Sequence, residues 1–170
     1  MEPVTWGFIG TLAGAVVGAS VSTITTIITA RNSRMLQQDA KSFERKEKAR
    51  EFQRNNLIDL QEAITVEMRL IGRAHIEDME SFRKNANGGR IILLSEELNL
   101  ELRNNSARLT ILTERVASDS FRQNIKALRN NMTNVLLAKS ENESLAAIQL
   151  VSNKFQETME DLGVMLRESY

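Results

Sequence analysis

The 170-residue chain has no cysteine, one proline, one histidine, one tryptophan and one tyrosine. Without cysteine there can be no disulfide, no thiol nucleophile and no thiolate metal site. With Pro3 as the sole proline and few aromatic residues, the chain lacks the turn punctuation and strand composition of an all-β domain. His75 has no second histidine to pair with, and position 72 is Gly72, so the Glu-x-x-His sets of a bundle di-metal centre cannot be built. Charge is missing from one place only. Pro3 to Ala30 is a stretch of 28 residues without an acidic or basic side chain, although the chain as a whole carries 22 of each.

That uncharged stretch exceeds the roughly 20 residues a helix needs to cross a bilayer. Its small residues recur every fourth position, at Gly10, Gly14, Gly18, Ser22, Thr26 and Ala30. At 100° per residue, Gly7, Thr11, Gly14, Gly18, Ser22, Thr25 and Thr29 share one side. Trp6, Ile9, Val16, Val17, Ile24, Ile27 and Ile28 take the other. The large side suits lipid, with Trp6 as an interfacial anchor, and the small side lets another helix approach closely. Gly7, Gly10, Gly14, Gly18, Ser22 and Thr26 are the candidate packing residues. A second reading makes Thr11, Ser22, Thr25 and Thr29 the lining of a wet lumen inside a ring of such helices. The n-region has no Lys or Arg and the apolar run is long, which reads as a retained anchor rather than a cleaved signal. Basic residues follow the span at Arg31 and Arg34 and none precedes it, so the positive-inside rule places residues 31–170 in the cytoplasm and the N-terminus outside.

Residues 31–56 hold eight basic side chains against four acidic ones, with no glycine or proline. Arg31, Arg34, Lys41, Arg45, Lys46 and Lys48 are candidates for anionic headgroups, worth about 1 kcal/mol per basic residue near the surface. With the charges read as spread round the helix, a solvated stalk is the plainer interpretation. Two phenylalanines among these residues do not make a stacking platform, so no nucleic-acid partner is expected.

The rest reads as helix at 3.5–3.6-residue spacing. Leu57, Ile64, Met68, Ile71, His75 and Phe82 form a first seam, flanked by Leu60 and Met79 and running to about Lys84, where Asn85–Gly89 breaks it. A second helix starts near Arg90 or Ser95, with a seam of Ile91, Leu94, Leu98, Leu102, Leu109, Leu112 and Val116. Asn105 falls on that seam, where a polar residue sets register. Ser120 with Gln123 is read as a capping box for a third helix carrying Phe121, Ile125, Leu128, Met132 and Val135. Ser140 with Glu143 is read as another, opening a fourth helix with Ile148, Val151, Phe155, Met159, Leu162 and Leu166.

These features predict an all-α protein: a single N-terminal transmembrane helix (1–30), a basic juxtamembrane arm (31–56) and an elongated helical bundle or antiparallel coiled coil (57–170). Gly88-Gly89 lacks the Lys-Ser/Thr of a phosphate loop, and no nucleophile, base and orienting group can be assembled from the sequence. The expectation is a non-enzymatic protein without metal or cofactor. Its expected partners are the lipid bilayer, further copies of itself and a cytoplasmic protein; the alternative is a membrane-permeabilising effector or small channel gated by the bundle.

Overall fold

The computed structural model describes residues 4–84 and 94–169, apart from the side chains of 4–6, 8 and 9. The Asn85–Gly89 breaker, the start at Arg90 with Ile91, and the Trp6 side chain lie outside the described residues. Four α-helices make up the rest: α1 (Val4–Lys84), α2 (Glu96–Glu114), α3 (Asp119–Leu136) and α4 (Glu141–Glu168). There is no strand among the described residues. The chain divides into two units, Met1–Lys48 and Ala49–Tyr170.

The second unit is an up-down-up-down bundle, because each helix meets its neighbours in antiparallel order. Along α1 and α2, Asn56 donates to the Leu112 carbonyl, Arg108 pairs with Glu62, Arg73 with Glu101, and Ser95 donates to Glu77. Asn124 of α3 donates to Asp161 of α4. Arg83 of α1 pairs with Glu141 of α4. Short connections leave little choice but antiparallel neighbours. Gln53 clamps the α2–α3 connection, donating to the Arg115 carbonyl at 2.9 Å and accepting from Ala117 N at 3.0 Å. Gln53 thus satisfies the Arg115 carbonyl just past the end of α2, and Asn56 adds a second donor to the Leu112 carbonyl, which also accepts from Arg115 N at 3.2 Å. Gln53 and Asn56 both lie in the segment that charge composition assigns to the basic arm.

The core contains Leu57, Leu60, Ile64, Ile71, Leu98, Leu109, Ile125, Leu128, Val151 and Leu162. All five α3 seam residues are buried, as their four-and-three spacing predicts. α1 buries more than its seam. Ala63, Leu70 and Ala74 are buried as well, along with Asn56, Glu67, Asp78 and Ser81. The reason is its place against both α2 and α4, which takes roughly half the helix circumference rather than one narrow stripe.

The helix starts separate good capping from apparent capping. Ser140 caps α4 as its spacing predicts, accepting from Glu143 N at 3.3 Å, while Glu143 accepts from Lys139 N at 2.9 Å. At α3 the cap is Ser118 rather than Ser120: Ser118 Oγ accepts from Phe121 N at 3.3 Å. The earlier start puts Asp119 in the first turn, where its charge favours the helix dipole. Arg122 then reaches both Asp119 and the Val116 carbonyl. Ser140→Ala is expected to cost about 1 kcal/mol, the usual value of an N-cap hydroxyl. Ser120→Ala is expected to leave the thermal midpoint unchanged, and melting of the two variants side by side checks both.

Candidate functional site

The first unit carries the apolar face. Its helix is long and apolar enough to cross a membrane, and no part of the apolar window is buried within the protein. A Cβ added at Gly7, Gly10, Gly14 or Gly18 would meet nothing within 4 Å. Gly7, Thr11, Gly14, Gly18, Ser22, Thr25 and Thr29 therefore form an open groove-like strip on the helix, with Gly10 and Thr26 on its two flanks. Leu12, Val16, Val17, Ile24, Ile27 and Ile28 are exposed around the remaining surface.

Five hydroxyls along this helix turn inward on their own backbone. Thr11 donates to the Gly7 carbonyl at 3.0 Å, and Ser20 to Val16 at 2.8 Å. Thr23 donates to Ala19 at 2.9 Å, Thr25 to Val21 at 2.9 Å and Thr26 to Ser22 at 2.8 Å. Each of these donors is satisfied four residues back, in the usual manner of Ser and Thr within helices. None of the five needs water or a second helix to receive its proton.

Arg31, Arg34, Lys41, Arg45, Lys46 and Lys48 are all exposed. On the observed helix, Arg31, Arg34, Lys41, Arg45 and Lys48 fall within about 100° of one another. Glu44 and Glu47 occupy a separate arc. Of the eight cations of the arm, these five share a face, while Lys46, Arg50 and Arg54 fall outside it, so the segregation is partial. Lys48 pairs with Glu44 at 2.6 Å and holds that carboxyl below its ordinary pKa. The exposed side chains of Leu36 and Phe43 point in the direction of the small-residue strip.

The bundle has a polar layer of its own. Asn105 Nδ2 donates to the Ala63 carbonyl at 2.9 Å and to Glu67 Oε2 at 2.7 Å. Glu67 is 6% exposed. Burial raises its pKa above the ordinary 4.5, against the pull of the Asn105 hydrogen bond and of nearby Arg129. Asn105 thus occupies the seam position where a polar residue registers one helix against another, and its partner is a carboxylate that the apolar spacing of α1 does not reveal. A raised carboxyl pKa means that the folded state holds the proton more tightly. This stabilising contribution is full below the unfolded pKa and is lost as pH rises through the folded value. Glu67→Gln keeps an acceptor for Asn105 and removes the buried charge. It is expected to raise the thermal midpoint at pH 7 and to flatten the fall in stability between pH 4.5 and 7, read from melts across that range.

At the other end of the bundle, His75 Nδ1 and Ser144 Oγ lie 2.8 Å apart, with Asp78 one turn along α1. Burial lowers the His75 pKa and the Asp78 charge opposes that shift. The pair brings together residue types that sequence spacing leaves unconnected, since Ser144 is 69 residues away. Ser144 is 0% exposed, so no acyl group can reach its oxygen, and the contact ties α1 to α4. The signal that could have exposed Ser144 is its place one turn after the Ser140 cap, on the side of α4 that also carries Val151.

No protein-family model, curated protein or solved structure matches the chain.

Proposed function

We propose that this chain is a single-pass membrane-anchored interaction protein. It self-associates through the small-residue strip of its span and presents the helical bundle to a protein partner on the cytoplasmic side. The observation that carries the reading is an apolar helix with none of its window buried in the protein and four glycines open to close approach. In lipid, helices associate through backbone proximity at small residues rather than through hydrophobic burial. Leu36 and Phe43 extend the same face beyond the span with apolar bulk that water disfavours. The basic face from Arg31 to Lys48 supports contact with anionic headgroups, and its position after the span supports a cytoplasmic bundle.

The inward hydrogen bonds of Thr11 and Thr25 support a packing face rather than a water-lined channel. The triple variant Thr11→Val, Thr25→Val, Thr29→Val tests this directly. It is expected to keep the oligomeric mass of the wild type in detergent, with no change in ion leakage from proteoliposomes. A wild-type leak abolished in the triple variant at unchanged mass would replace this reading with the channel.

A further inference from the structure

A cavity of about 470 Å³ opens between α1, α2 and α3 in the bundle. That volume lies within the range of small-ligand sites. Three cationic side chains line it: Arg103 from α2, and Lys126 and Arg129 from α3. Lys126 is matched by Glu114 at 2.8 Å. Arg103 has no carboxylate within ion-pair distance among the described residues. Neither has Arg129, although it is half-buried; its guanidinium makes one hydrogen bond, to Ser106 Oγ at 3.4 Å, and feels Glu67 and Glu114 only at longer range. A guanidinium cannot shed its proton and offers five donors in a fixed fork. A half-buried one resting on a single long contact to a hydroxyl therefore keeps most of its hydrogen-bonding capacity for something else. Elsewhere on the bundle Arg73, Arg83 and Arg108 are each matched by a glutamate, while Arg69, Arg115 and Arg167 have no ion pair among the described residues and line no part of this cavity.

The remaining walls narrow the chemistry. Leu102 and Met132 supply an apolar side, and Glu67 is the carboxylate lining the cavity, held by Asn105. We propose that this cavity is a binding site for a small phosphomonoester. Arg103 and Arg129 take the phosphate oxygens, and the organic portion lies against Leu102 and Met132. Two guanidinium forks with an ammonium nearby suit a dianion better than a carboxylate, because three terminal oxygens let both forks engage at once with one oxygen shared, where a carboxylate has only two. Glu67 opposes the anion, so its neutralisation strengthens binding. The phosphate can belong to a soluble metabolite or to a lipid headgroup, which present the same group to the two arginines.

The test is calorimetric titration of the full-length protein in detergent with three probes: phenyl phosphate, benzoate and dioctanoyl phosphatidic acid. Phenyl phosphate is expected to bind more tightly than benzoate. Arg129→Met is expected to weaken it at least tenfold and Arg103→Met several-fold, while Glu67→Gln tightens it several-fold. Opposite signs at Arg129 and Glu67 separate an electrostatic site from general damage to the fold, and Arg103, being exposed, gives a variant that leaves the core untouched. Binding of phosphatidic acid alone, with the same responses to substitution, assigns the site to a lipid headgroup. Binding of phenyl phosphate assigns it to a soluble ligand. No heat with either phosphate, or equal affinity in wild type, Arg129→Met and Arg103→Met, overturns the proposal.

Discussion

Replacing Gly14 and Gly18 together by isoleucine is expected to reduce the protein in detergent from an oligomer to a single chain. Both glycines lie on the strip where an added Cβ meets nothing within the chain. Any obstruction the new side chains create is therefore with another molecule. Overpacking a close contact costs about 1–3 kcal/mol per site. With two sites on each of two facing helices, the sum is about 4 kcal/mol at the low end, or about a thousandfold in dissociation constant. Isoleucine favours insertion by about 0.3–0.6 kcal/mol on biological scales, so the variant stays in the membrane. Val16→Ile, on the opposite side and already exposed, is the control and is expected to keep the wild-type mass. Light scattering coupled to size exclusion reads all three. A wild type that is already a single chain, or a double variant with unchanged mass, sinks self-association through this strip.

The second large effect lies in the bundle. Leu128 sits in the middle of α3 with no exposed surface, within the same core cluster as Ile125 and Met132. Leu128→Ala removes three carbons from a packed interior and leaves a void, which costs about 2–5 kcal/mol. At roughly 4 °C per kcal/mol for a unit of this size, the thermal midpoint is expected to fall by about 10 °C or more. Leu137 follows α3 directly and is 66% exposed, so Leu137→Ala is expected to stay within about 0.5 kcal/mol of wild type. Two leucines nine positions apart, one silent and one severe, make the melting experiment a test of the helix packing rather than of residue type. Equal effects at the two positions would contradict the placement of α3.

The comparison of Ser118 with Ser120 shows where local pattern stops being informative. Both precede a plausible first turn, and Ser120 carries the better-looking partner three residues on, in Gln123. The chain starts the helix at Asp119 with Ser118 accepting from Phe121 N, and Arg122 turns back to the Val116 carbonyl in the α2–α3 connection. Ser140 was legible because its whole cap is local, from Lys139 to Glu143. In the basic arm, pairing charges four residues apart hides that five of the eight cations share a face, which emerges only when every residue is placed on one continuous helix.

Periodicity by itself determined that the protein is all-α, that α3 buries Phe121, Ile125, Leu128, Met132 and Val135, and that one N-terminal stretch is apolar enough to cross a membrane. Those properties depend on side-chain spacing along a single helix, and spacing is written in the chain. Only the tertiary structure decided that α1 buries residues beyond its seam within the bundle, that Glu67 answers Asn105, that His75 meets Ser144, and that Arg103 and Arg129 line one cavity. Each of these depends on which helices are neighbours and at what rotation. A hydrogen bond between residues 38 or 69 positions apart has no local periodicity to announce it.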